Sequence, residues 1–239
     1  MKIHDYDRCK KMANHFTTKS NKIPKDTRVV AFGELIKIVC HELEVTLDIA
    51  NVFETSNTTS TKYLKEAKFY LNKSQVLIES YRTHMDNLPV QIMLPEKSKY
   101  WNFIFYTSDR FTESEEYKNL MGINMDLPIT DYLLEEMGRR IKLARICSVK
   151  SCLEAARMFG KSKESFKILY ELQDLLSIVK DKMDEVAFSE LVKKGYKSDD
   201  IINIFYGDKL DMDKLITKHF IDIIESDFTN LFPQLKNVV

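Results

Sequence analysis

The sequence predicts an all-α protein, a long-helix bundle of the four-helix type followed by a compact tail of shorter helices. Three observations carry that expectation. Six glycines and five prolines in 239 residues come to roughly 5%, where about 12% is usual. Turn-rich β folds and nucleotide-binding α/β sheets consume both residue types, so their scarcity argues against those classes. Charged residues at 30% and apolar residues at 44% suit a water-facing protein with a well-filled core. Finally, apolar side chains recur at spacings of three and four through several long stretches, the period of a one-sided helix.

The elements follow in order. Residues 3–18 read as a short basic helix that stops near Asn21 and the Ile23-Pro24 pair, because the residue before proline avoids the α region. A long helix is expected over 27–53, with Phe32, Leu35, Ile36, Val39, Leu43, Leu47, Ala50 and Phe53 on its inner face and Glu34, Lys37, Glu44 and Asp48 largely opposite. Thr55 to Thr61 is an unbroken run of small polar residues that compete with helical hydrogen bonds, hence a connector. The next helix, 62–85, buries Leu64, Ala67, Leu71, Gln75, Ile78 and Tyr81, and Lys62 and Glu66 form an i,i+4 pair outside. Together the two make an antiparallel hairpin.

Residues 88–111 break the pattern. Pro89 and Pro95 flank a short apolar run, and Tyr100 to Tyr106 crowds aromatics together. An irregular or short helical connection covering one end of the bundle is the expected form. Thr112 and Glu115 have capping-box spacing, which starts a helix that ends near Gly122. Thr130 opens the strongest helix, 130–159, whose period is held by Tyr132, Leu133, Met137, Ile141, Ala144, Cys147 or Ser148, Ser151 and Ala155, with Gly160 at its end. A helix over 162–183 carries Phe166, Leu169, Leu172, Leu176 and Val179. Shorter helices are expected at 184–194 (ended by Gly195), 198–206 and 211–227. The chain therefore divides into a helical bundle, 1–160, and a helical C-terminal subdomain, 161–239, packed on or extending it.

Several function classes drop out. No apolar run is long enough for a membrane span, and charges occupy the start of the chain where a signal peptide needs an apolar stretch. Cys9, Cys40, Cys147 and Cys152 are too few and scattered for a disulfide framework and read as free thiols, so a cytoplasmic location is expected. None of the five histidines (His4, His15, His41, His84 and His219) belongs to a recognisable zinc signature. His41 sits beside Cys40 and Glu42, a spacing that points the three side chains apart on a helix. Phosphate-cradling glycine loops and nucleophile elbows are absent, so neither a cofactor nor a metal is expected. Glu135 and Glu136 stand four residues before Arg139 and Arg140, which favours ion pairs over acid–base catalysis.

Charge is balanced only in total. Residues 1–28 hold eight bases and three acids, +5, while 29–88 carry −2 and 89–138 carry −5. Residues 139–167 hold nine bases and two acids, +7, and 168–239 carry −5. Arg139, Arg140, Lys142, Arg145, Lys150 and Arg157 lie on one helix, and Arg139, Lys142 and Lys150 fall within about 80° of one another around it, with Arg157 near the same stripe. Such a stripe can track a phosphate backbone. It can equally be a solvated face that pairs with acids elsewhere in the fold, or a docking face for an acidic protein.

Two resemblances bear on function. Arg8 and His15 have the Arg–x6–His spacing seen in all-helical HEPN ribonucleases, which puts both on one helix face as an acid–base and phosphate-binding pair requires. Cys9 stands where a polar residue usually follows the arginine. The second resemblance covers residues 5–150. It rests on an N-terminal helix, then Ile23-Pro24-Lys25, a helix with Gly33-Glu34-Leu35 near its start, a polar gap, an amphipathic helix with Leu64, Ala67, Leu71 and Leu77, and a helix carrying Glu136-Met137-Gly138-Arg139. This arrangement resembles the four-helix-bundle family of the accessory variability determinant of diversity-generating retroelements and of ribosomal intervening-sequence proteins. The enlarged 88–111 connection, the missing terminal tryptophan and the added 160–239 depart from that pattern. The resemblance implies a non-catalytic bundle that self-associates and presents basic residues to RNA, often beside a reverse transcriptase. Position by position, only Lys25, Arg28 and Arg139 match its basic sites.

The combined expectation is a non-catalytic accessory protein that binds nucleic acid, RNA above all, or a nucleic-acid enzyme, through Arg139, Arg140, Lys142, Arg145, Lys150 and Arg157 with Lys25 and Arg28. The alternatives are a structural or protein-interaction bundle with no nucleic-acid role, and a ribonuclease using Arg8 and His15. A protein partner and a homo-oligomer are expected; a membrane is not.

Overall fold

The computed structural model describes residues 25–56, 61–87, 129–161, 163–197 and Lys218. Four long helices dominate: α1 (Lys25–Ser56), α2 (Thr61–Asn87), α3 (Ile129–Met158) and α4 (Glu164–Leu191), followed by a 3-10 turn over Val192–Lys194. Among the described residues there is no strand. The protein is all-α, as the glycine and proline scarcity predicts. The expected helices at 3–18, 112–122 and 198–206, the one at 211–227 apart from the helical Lys218, Cys9 and the aromatic stretch 100–106 lie outside the described residues.

Each helix packs on two neighbours, in the cyclic order α1, α2, α4, α3. Cross-contacts fix the directions. Phe32 near the start of α1 meets Tyr81 near the end of α2 and Phe159 just beyond α3, with ring centroids 6.3 and 6.2 Å apart in edge-to-face geometry. At the far end of the bundle, Lys68 Nζ of α2 reaches Glu54 Oε2 of α1 at 2.8 Å, and Lys182 of α4 pairs with Glu66 of α2. All neighbouring pairs are therefore antiparallel, while α1 and α4 run parallel across one diagonal and α2 and α3 across the other. The order is up, down, down, up, so α2 ends at the opposite end of the bundle from where α3 begins. Such a topology requires one long crossover between the two halves.

The inner stripes match the sequence period closely. Phe32, Leu35, Ile36, Val39, Leu43, Ala50 and Phe53 are buried on α1, Leu64, Ala67, Leu71, Ile78 and Tyr81 on α2, and Met137, Ile141, Ala144, Cys147 and Ala155 on α3. Leu169, Leu172, Leu176 and Val179 of α4 join the same core, although they lie beyond Gly160. Cys40, Cys147 and Cys152 are buried free thiols, and burial pushes the Cys40 thiol up to about 12.

Two expectations are corrected. The helices expected at 162–183 and 184–194 are one helix, α4, because no glycine or proline interrupts it and Met183, Val186 and Ala187 keep the buried stripe going. Glu34 and Lys37, expected on the outer face of α1, are buried, and Lys37 Nζ donates to Glu34 Oε1 at 2.9 Å. Residues 31–40 are buried without a break, so this part of α1 is enclosed on every side, and its polar residues must find partners inside the protein.

The chain leaves α4 through Gly195, whose φ of 88° puts it in the left-handed region that favours glycine. The Gly195 N–H donates to Val192 O and the Tyr196 N–H to Leu191 O, at 3.0 and 3.2 Å, the paired bonds of a Schellman ending. That turn aims Lys194 and the Tyr196 hydroxyl at Asp131 in the first turn of α3, a carboxylate only 1% exposed. Asp131→Ala removes the acceptor for two donors and a favourable helix-start charge, and should cost about 1–2 kcal/mol in denaturant unfolding. Lys194→Ala, which strips a solvent-screened partner, should cost about half as much.

Candidate functional site

The basic helix expected to meet phosphate is α3, and the structure locates each of its cations. Arg139 pairs with Glu135 one turn earlier. Arg140 Nε donates to Glu136 Oε1 at 2.7 Å, and its Nη1 donates to Glu42 Oε2 of α1 at 3.0 Å. Arg157 Nη1 contacts Glu154 Oε1 at 3.4 Å. Lys142 and Lys150 are buried, and they and Arg145 have interactions of their own. Arg145 acts electrostatically on Asp184 of α4, whose carboxyl is nevertheless held above the usual range by burial.

These six residues do not form an open row of cations. The stripe expected through Arg139, Lys142, Lys150 and Arg157 has two buried lysines between arginines that already hold a carboxylate. The i,i+4 pairs expected from Glu135-Glu136 and Arg139-Arg140 are present. The partner that sequence spacing could not indicate is Glu42, 98 residues from Arg140 and wholly buried. Around it, burial and then the Arg140 charge lower the His41 imidazole below its ordinary value. Glu135 moves the other way: burial raises its carboxyl despite the adjacent Arg139.

The remaining expected site residues are less informative. Lys25 and Arg28 sit in the first turns of α1, with side chains outside the described residues, and Arg8 and His15 lie outside them altogether. Among the described residues, no group of histidine, cysteine, aspartate and glutamate is arranged to hold a metal ion. No helix among them is long and apolar enough to cross a membrane.

Two further surfaces escape a reading of sequence pattern. The outer face of α2 presents Phe69, 54% exposed, and Val76, 70% exposed, with Lys62, Lys65 and Lys73 also exposed. Lys73 Nζ stands 4.6 Å from the centre of the Phe69 ring, within cation–π range. The Glu66 expected to pair with Lys62 instead forms its ion pair with Lys182 of α4. The neighbouring helix α4 has the opposite character. Its outer face exposes Glu171, Asp174, Asp181 and Glu185 beside Tyr170 and Phe188. The signal for both faces is present in the spacing of these residues, but the buried stripes of the same helices are denser and dominate a periodicity reading.

Comparison with protein-family models, with curated proteins and with solved structures finds no match to this chain.

Proposed function

We propose that this chain is a structural, protein-interaction helical bundle in which the basic helix α3 serves the interior. The observation that supports this reading is the engagement of the α3 cations, above all Arg140 held between Glu42 and Glu136. A cation that neutralises a buried carboxylate can turn to a phosphate only by giving up that buried ion pair, which is costly. Large apolar side chains exposed on α2 and α4 offer the bundle contact surfaces for other proteins. A nucleic-acid enzyme such as the reverse transcriptase implied by the family resemblance is one member of that partner class.

RNA binding is the second reading, and a separate observation favours it: Lys62, Lys65 and Lys73 share the outer face of α2 with an exposed aromatic ring. The two readings separate in a titration of single-stranded RNA at low and moderate salt, followed by fluorescence anisotropy. The interaction reading expects weak binding that the pairs Lys65→Glu with Lys73→Glu on α2 and Arg145→Glu with Arg157→Glu on α3 leave within about twofold. RNA affinity that falls steeply with salt and drops about tenfold or more in those variants, with helicity unchanged, would overturn it. The combined replacement of Arg139, Arg140, Lys142 and Arg145 by Glu is expected to unfold the bundle, and so cannot report on RNA.

A further inference from the structure

Helices α2 and α4 are neighbours, and their outer faces carry opposite charge. At about 100° per residue, Lys62, Lys65, Phe69, Lys73 and Val76 fall within about 80° of one another on α2. On α4, Tyr170, Glu171, Asp174, Asp181, Glu185 and Phe188 fall within about 100° of one another. All of these residues are exposed. The ion pair between Glu66 and Lys182 sets the two antiparallel helices in register. Counting away from that pair at an equal rise per residue, Lys73 stands level with Asp174, and Lys62 with Glu185, each to within about one residue. Lys65 falls between the levels of Asp181 and Glu185. Bases on one helix thus have acids at their own height on the next.

We infer that the joint α2–α4 face is the contact of a homodimer, whose two-fold axis runs along the bundle between these helices, so that α2 of each copy lies on α4 of the other. Rotation about such an axis exchanges the positions of α2 and α4 and leaves every residue at its height. Lys73 then meets the partner's Asp174, and Lys62 meets the partner's Glu185. Both contacts occur twice, as an isologous interface requires. Phe69 and Val76 are covered between the two copies, with the alkyl stems of Lys65 and Lys73 around them. Lys167, a base on the α4 face, stands at the level of Ser80 and Tyr81 of α2 and so opposes no lysine.

Charge selects both the occupant and the symmetry. A phosphate backbone laid on the α2 lysines would run beside the four acids of α4. A two-fold axis across the helices would place α2 on α2 and α4 on α4, setting lysines against lysines and acids against acids. Only the axis along the bundle pairs opposite charges in both halves of the contact.

The dimer rests on the protein-interaction reading and names an occupant for one of its surfaces; a monomer would leave that reading to be decided by the RNA titration. Sedimentation velocity across a concentration series tests it, with circular dichroism to confirm that helicity is kept. The wild type is expected to reach the mass of two chains, and Phe69→Asp should sediment as a monomer at the same concentrations. Lys73→Glu sets acid against the partner's Asp174, and Asp174→Lys sets base against the partner's Lys73. Each variant alone should raise the dissociation constant about tenfold or more. An equimolar mixture of the two restores an opposite-charge pair at both contacts, and should bring the constant back to within about threefold of wild type. A monomeric wild type, an assembly larger than two chains, a dimer untouched by Phe69→Asp, or a mixture that associates no better than its components overturns the proposal.

Discussion

Arg140→Ala should lower the unfolding free energy by about 3–5 kcal/mol, the cost of leaving a buried ion pair with one member. The reason lies in the partner. Glu42 is wholly buried, and Arg140 is the cation that its Oε2 meets at 3.0 Å. The substitution leaves Glu42 in a poorly solvated layer between α1 and α3, with Glu136 losing the same guanidinium. Chemical denaturation of the two proteins measures the difference. The deficit should shrink as pH falls from neutrality toward about 5. A buried carboxylate that has lost its guanidinium takes up a proton more readily in the folded state than in the unfolded one, so acid favours the folded variant. Arg140→Met combined with Glu42→Leu removes both charges and should recover most of the lost stability, since apolar replacements of buried pairs are often neutral. A single variant within about 1 kcal/mol of wild type would show that the Glu42 contact is not structural, and would return Arg140 to the pool of cations able to meet a ligand.

The second large effect is expected at Phe32. Phe32→Ala should cost about 3–5 kcal/mol, because the ring is wholly buried and the cavity left behind cannot be filled by neighbours already fixed on other helices. Phe32 packs edge-to-face on Tyr81 of α2 and Phe159 beyond α3, so it ties together the end of the bundle where α1 begins. Phe32→Leu retains most of the apolar volume and should cost about 1–2 kcal/mol. Comparable losses for the two substitutions would mean that the aromatic geometry, rather than the filled volume, secures that end. Denaturant titration of both variants distinguishes the outcomes.

How much of the fold is legible beforehand depends on how local the cause is. The four described helices and their buried stripes follow from side chains three and four residues apart, and that spacing is printed in the chain. The i,i+4 pairs of Glu135 with Arg139 and Glu136 with Arg140 are legible for the same reason. A division of α4 at residue 183 fails because no glycine, proline or change of stripe supports one there. The candidate site is much less legible. A helical wheel shows which cations share a face of α3, but it cannot show that the face is covered. Lys142 and Lys150 read as solvent-facing from local pattern alone, and the fold buries them.

By itself, then, the sequence determined the all-α class, the positions of the long helices and the residues that line their cores, because periodic burial and the scarcity of glycine and proline act within a few residues. Tertiary structure alone decided what the charges do. Arg140 meets Glu42 across 98 positions, Lys182 meets Glu66 on the neighbouring helix, and Lys194 meets Asp131 through the turn at Gly195. Ion pairing depends on which helices become neighbours, and an up, down, down, up arrangement sets that through contacts no local spacing encodes. The same arrangement brings the basic outer face of α2 beside the acidic outer face of α4, two helices more than 70 residues apart along the chain.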